Sequence, residues 1–241
     1  MPQTKPSWTA VIPVRAGSKG LPQKNTRLLA GKPLYRHAID QALAAGAHRV
    51  VVTTDIPEIL NAQLPAMVTV IERPQELGGD TVPMAPVLAH ALSAAGCSGT
   101  VVLLQATSPL REVTHIAAAL DVFRPGYFEL VLSVTAAERS VLKWGVLRGN
   151  RFQPVSDPTY CFANRQSLPP VVRPNGAVYV VDADWFVARG SFVSDRMGVI
   201  EMSADQSQDI DTLADFEHCE RVLMARPGAS GAGAPDPQAK G

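Results

Sequence analysis

The chain has 241 residues, 46% of them hydrophobic, with 22 basic and 22 acidic side chains. That supplies apolar material for one large core, and the balanced charge excludes a nucleic-acid partner held by a global basic field. The three cysteines are odd in number and widely spaced. They suit neither a disulfide framework nor a zinc site, so a cytoplasmic location is expected. No apolar run is long enough to span a bilayer, so no membrane partner is expected.

Residues 8–14 are apolar and rich in β-branched side chains, which reads as a buried strand. The strand runs into a loop through Asn25 that carries small residues, Arg15, Lys19 and Lys24. Glycines let backbone N–H groups approach an anion, and the cations neutralise it, so the loop reads as a triphosphate receptor. It is neither a Walker A loop nor a Gly-x-Gly-x-x-Gly fingerprint. The plain alternative is a surface turn with solvated Arg15 and Lys24.

Apolar spacing then predicts a helix at 33–46 and a strand at 49–54. A short helix follows at 57–64, a strand at 67–71, a polar loop at 73–81 and a helix at 86–96. Next come a strand at 100–104, a second polar loop at 105–111, a helix at 113–123 and a strand at 130–135. Alternation of helices with continuously apolar strands predicts an α/β, doubly wound, mostly parallel sheet. Right-handed crossovers gather its strand-end loops on one edge, where ligands bind.

At about 136–173 the helical period is lost, and 141–147 with 151–153 read as a hairpin closed by Arg148-Gly149-Asn150. This inserted arm has too few apolar residues for a core of its own and is expected to pack on something else. Strands at 177–181 and 198–202 flank a helical turn at 183–188. The last helix, 213–224, is capped by Thr212 or Asp211. One domain is therefore expected over 1–225, with a disordered Gly-, Pro- and Ala-rich tail at 226–241. Asp209 and Asp211, two apart in an extended segment, present carboxylates to one side and suit Mg²⁺, although a helix cap explains Asp211 equally well. The five histidines lack metal-ligand spacing and read as structural.

The run Ile12-Pro13-Val14-Arg15-x-Gly17-Ser18-Lys19-Gly20-Leu21-Pro22-x-Lys24-Asn25 resembles the signature loop of the CMP-sialic acid synthetases (acylneuraminate cytidylyltransferases). In the same order follow Arg73-Pro74-Gln75-Glu76-Leu77, the stretch from Leu103 to Arg111, Arg173-Pro174-Asn175-Gly176 with Tyr179, and Asp209-Ile210-Asp211. The resemblance implies a Rossmann-like nucleotidyltransferase fold with a dimerisation arm. It implies transfer of CMP from CTP to the anomeric hydroxyl of a nine-carbon 2-keto sugar acid, with release of pyrophosphate.

By the same resemblance, Arg15 and Lys24 hold the phosphates and act on the leaving pyrophosphate, with Ser18 and Lys19 in support. Asn25 holds the nucleoside, Arg73 reads cytosine, Gln105 contacts the sugar acid, and Asp209 and Asp211 bind Mg²⁺. Lys143 and Arg165 reach the sugar carboxylate across a homodimer, while Arg173 and Tyr179 act from the same chain. Phe192 aligns with an aromatic element that crosses the dimer, and its neighbour Val193 departs from the aromatic pair. Val82-Pro83-Met84 stands where the family carries small hydroxyl residues near the base. Asp80 and Thr81 read as ligand contacts or helix caps. Thr107-Ser108-Pro109 reads as a helix start, and Arg111 as a substrate contact or a partner of Glu112 or Asp121. The alternatives are a cytidylyltransferase for legionaminic, pseudaminic or Kdo acid and a non-catalytic nucleotide or sugar binder.

Overall fold

The computed structural model describes residues 7–17 and 20–226. Ser18, Lys19 and all of the expected tail except Arg226 lie outside the described residues. The elements run β1 (Thr9–Val14), β2 (Leu28–Leu29), β3 (Lys32–Pro33), α1 (Leu34–Ala44), β4 (Arg49–Thr54), α2 (Pro57–Leu60) and β5 (Val68–Glu72). Then come α3 (Met84–Ala94), β6 (Thr100–Leu104), α4 (Val113–Val122), β7 (Leu130–Ala137), β8 (Gly145–Arg148) and β9 (Arg151–Pro154). The chain ends with β10 (Val171–Asp182), α5 (Ala183–Arg189), β11 (Met197–Glu201) and α6 (Leu213–Met224).

Seven strands form one sheet in the order β11-β7-β10-β6-β1-β4-β5. Its pairs are parallel except those of β10, which runs antiparallel to both β6 and β7. The apolar strands are buried on both faces. Their alternation sends Ala10, Ile12, Val52 and Val102 under α1 and α4, and Val11, Val51, Leu103 and Val181 under α3 and α5. A smaller cluster of Leu21, Leu29, Leu34, Leu110, Ile210 and Phe216 ties α6 to the first loop.

The expected mostly parallel α/β architecture is thus present, with three local differences. The helix after β4 stops at Leu60, four residues short of the expected end at 64. The arm is narrower than 136–173, because Ala137 and Val171 already pair in the sheet. The first hairpin limb, expected at 141–147, starts late: its first three residues belong to a 3₁₀ turn, Arg139–Lys143, and the strand is Gly145–Arg148. Among the described residues no helix is long and apolar enough to cross a membrane.

Leu88 of α3 is fully buried against the sheet and lines neither polar cleft. Leu88→Ala is expected to lower the unfolding free energy by about 2–5 kcal/mol, measured by urea titration with an unchanged m-value.

Candidate active site

The loop after β1 is held from three sides. Asn25 Nδ2 donates to the Arg15 carbonyl at 2.9 Å, and the Ala16 N–H donates to Asp55 Oδ1 at 2.7 Å, fixing the loop to the end of β4. Leu21 buries itself beside Ile210. The Arg15 guanidinium pairs with Asp80, which comes from the loop before α3.

The acidic segment arrives from the other end of the chain. Ile210 is fully buried, and its N–H donates to the Thr107 carbonyl at 2.9 Å. Lys24 Nζ donates to the Ile210 carbonyl and lies 3.1 Å from Asp211 Oδ1. Gly20 lies so close to the Asp211 carbonyl that a Cβ there would collide with it. Burial pushes the Asp209 carboxyl up, against a hydrogen bond from the Thr107 side chain. Its Oδ1 is buried without a hydrogen-bond partner among the described residues. Thr212, not Asp211, caps α6, in a reciprocal box with Asp215. Asp215 Oδ2 accepts from the N–H groups of Thr212 and Asp211 at 2.7 and 3.2 Å. The Thr212 hydroxyl foremost, and these N–H groups, hold the Asp215 carboxyl below its usual range.

Two adjoining clefts open at this sheet edge. The first, of about 200 Å³, is lined by Arg15, Lys24, Asn25, Arg73, Asp209 and Asp211, with Met84 from the Val82-Pro83-Met84 stretch. Two of its polar walls have bonding capacity to spare: Asn25 Oδ1 and Arg73 Nε are buried without partners among the described residues. Arg73 Nη2 donates to the Thr53 carbonyl at 3.0 Å. Burial draws the Arg73 guanidinium down, which nearby Asp55 partly offsets.

The second cleft, of about 450 Å³, is lined by Thr135, Arg173, Asn175, Gly176, Tyr179 and Gln208. Gln105 and Asp209 line both. A buried polar chain shapes the second floor. Asn175 Oδ1 accepts from Ser133 Oγ at 2.5 Å, and Asn175 Nδ2 donates to Ser207 Oγ at 2.8 Å. Gly176, at φ +81°, turns the backbone there and faces the Gln105 amide. Tyr179 packs on Phe192 with ring centroids 5.5 Å apart.

Arg15, Lys24, Asn25, Arg73, Gln105, Arg173, Tyr179, Asp209 and Asp211 are therefore gathered at one edge. Lys143 and Arg165 line neither of the two clefts; Arg165 pairs on the surface with Glu138 at 2.7 Å. Phe192, partly buried, packs against the core of its own chain, 4.7 Å from Phe186 between ring centroids. Asp80 and Thr81 do not cap α3, whose first turn follows Pro83. Thr107-Ser108-Pro109 does not start α4, which Glu112 caps together with His115. Arg111 bonds neither Glu112 nor Asp121; its donors go to Gln41 and two backbone carbonyls. Sequence reading gives no site role to Asp55, Thr135 and Ser207, which become visible only when the sheet is assembled. Thr107, read as part of a helix start, and Asn175, quoted within a motif, are named in the sequence but given no contact of their own.

A family profile described as cytidylyltransferase matches residues 9–146. The chain is 32% identical over 219 residues to an N-acylneuraminate cytidylyltransferase of Streptococcus agalactiae, covering 86% of this chain and 51% of the relative. The chain thus spans about half the length of the curated N-acylneuraminate cytidylyltransferases it matches. It is 33% identical over 229 residues to the CMP-N,N'-diacetyllegionaminic acid synthase of Legionella pneumophila, covering 89% of this chain and 95% of that one. In fold it is similar to a CMP:2-keto-3-deoxy-manno-octonic acid synthetase complexed with CTP, with TM-score 0.69 at 18% identity, covering 90% of this chain and 98% of that one. By the profile and the full-length Legionella relative, the chain belongs to the cytidylyltransferase family.

Proposed function

We propose that the protein transfers CMP from CTP to the anomeric hydroxyl of a nine-carbon 2-keto sugar acid and releases pyrophosphate. One observation carries this reading: two clefts, one lined by cations and one by carboxylate- and hydroxyl-binding groups, share Gln105 and Asp209 alone among the described residues. A nucleotide in the first would meet an acid in the second at that boundary. The sialic and legionaminic acids named for the relatives are the leading acceptors.

In this reading the sugar hydroxyl attacks the α-phosphorus. A new P–O bond forms as the bond to the bridging oxygen breaks, pyrophosphate leaves with the electron pair, and the hydroxyl's proton passes to solvent. Arg15 and Lys24 neutralise the charge that builds on the leaving group, with Ser18 and Lys19 in support. Asn25 offers its unpartnered Oδ1 to the nucleoside, and Arg73 offers donors to the acceptor edge of cytosine. Gln105, Arg173 and Tyr179 hold the acid; a guanidinium matches a carboxylate with two parallel bonds. Asp209 and Asp211 fit Mg²⁺, a hard cation that takes oxygen ligands and keeps waters and phosphates in its shell. Asp209 Oδ1, buried without a hydrogen-bond partner among the described residues, is the kind of group that a cation would satisfy. When bound, the ion would withdraw charge from the phosphate oxygens.

The arm supports a homodimer. It exposes Trp144, Leu147, Phe152 and Phe162, the last 93% accessible, and such a patch marks an interface. Lys143 and Arg165, which line neither cleft of their own chain, would serve the partner's. The three cysteines are unpaired, which suits a cytoplasmic location.

Pyrophosphate release from CTP, measured with sialic, legionaminic, pseudaminic and Kdo acids, tests the function. A nine-carbon acid should turn over with Mg²⁺ and stop with EDTA; CTP binding without turnover of any acid sinks the reading. Asp209→Asn is expected to fold normally by circular dichroism and to lose nearly all turnover, while Lys24→Ala should lose on the order of 10²–10³ in rate. For the arm, sedimentation should show a dimer. Mixing inactive Arg165→Ala and Gln105→Ala chains should restore activity, and no restoration in a mixed dimer removes the shared site.

A further inference from the structure

Arg111 is fully buried, yet every oxygen that it meets is neutral. Its Nε and Nη2 donate to Gln41 Oε1 at 3.1 and 2.8 Å. Its Nη1 donates to the carbonyls of Gln105 at 3.2 Å and Ala177 at 2.6 Å. Gln41 answers in kind, its Nε2 donating to the Pro109 and Arg111 carbonyls at 2.9 and 2.7 Å. A buried guanidinium without a carboxylate is costly where an apolar side chain of similar volume would pack.

What it holds explains its presence. The β6–β10 ladder ends at the pair Leu104–Val178. One step further in the same register stand Gln105 and Ala177, where the strands part to form the wall between the two clefts. Arg111 clasps both carbonyls at that step. Beside them, Gly176 faces the Gln105 amide at 3.5 Å from where a Cβ would stand.

We propose that Arg111, locked by Gln41, is a positioning residue. It sets the spacing of Gln105 and Gly176, and so the aim of the Gln105 amide across the cleft boundary. The consequence for sugar-acid binding rests on the proposed function; the clasp itself does not. Arg111→Met keeps bulk and loses all donors, Arg111→Lys keeps charge and loses the fork, and Gln41→Ala removes the lock.

Two measurements on the whole chain test the clasp. Hydrogen exchange should quicken at residues 105–108 and 175–178 in each folded variant, with β1 and β4 unchanged. The sugar-acid KM should rise roughly 10- to 100-fold, as misplacement of a positioning group does, while the Kd for CTP stays within about twofold. Lysine should retain more function than methionine. Exchange unchanged in both segments overturns the proposal. So does exchange raised evenly across the sheet with CTP affinity lost in step, which marks a merely structural arginine. If Arg111→Met does not fold, the same two measurements on Arg111→Lys and Gln41→Ala decide between these outcomes. If the wild-type chain turns over no sugar acid, the functional reading falls and the exchange pattern alone decides the clasp.

Discussion

The placement of the acidic segment depends on the burial of Ile210. That side chain enters a small cluster with Leu21, Leu29 and Phe216, and its neighbours on either side are carboxylates. Full burial of such a side chain contributes about 1.5–3 kcal/mol. The Lys24–Asp211 ion pair, with the Asp211 side chain 75% exposed, contributes at most about 1 kcal/mol. The apolar contact therefore wins: it draws two segments nearly two hundred residues apart into register, and the ion pair follows. Because Leu21 belongs to the cationic loop, the same contact fixes that loop. A collision at Gly20 would push both partners apart together.

The reversal of β10 does comparable service for the second cleft. Inserted between β6 and β7 but running against them, β10 begins at the edge where its neighbours end. Arg173, Asn175 and Gly176 therefore stand beside Gln105; in a parallel strand they would lie at the far edge. The register shifts between Pro174 and Tyr179, and the turn at Gly176 opens the wall that Arg111 clasps. The Ser133–Asn175–Ser207 chain then carries the floor of this cleft to the segment just before Asp209.

Most of this sheet can be read from one sequence, because buried parallel strands are written as unbroken apolar runs. Residues 49–54 and 100–104 carry that signal in full, and the observed strands have those bounds. The direction of β10 does not show in its composition: a strand buried on both faces reads the same either way. The arm's limits blur for a related reason, since Ala136, Ala137 and Val171 join the sheet without the helical neighbours that announce a parallel strand. Of the cleft residues, those on strand-end loops are legible by type and place. Thr135 and Asn175 lie within strands, and Arg111 looks like a surface arginine beside Glu112; only the packing of α1 against α4 reveals Gln41 as its partner.

The charges of the first cleft bear on what enters it. As built, Arg15 is held by Asp80 and Lys24 by Asp211, so these two cations are already engaged. A bare polyanion would take both cations and leave Asp209 and Asp211 facing it. Two like charges 4 Å apart repel by about 4 kcal/mol at the effective dielectric of a partly buried site. That repulsion offsets much of what the cations offer. A polyanion that arrives with a divalent cation instead meets two carboxylates, one of which has an oxygen buried without a hydrogen-bond partner among the described residues. On the function proposed above, carboxylates in an anion site are thus a selection device: they disfavour the free triphosphate and favour its metal complex, which is the species with a charge-neutralised α-phosphorus.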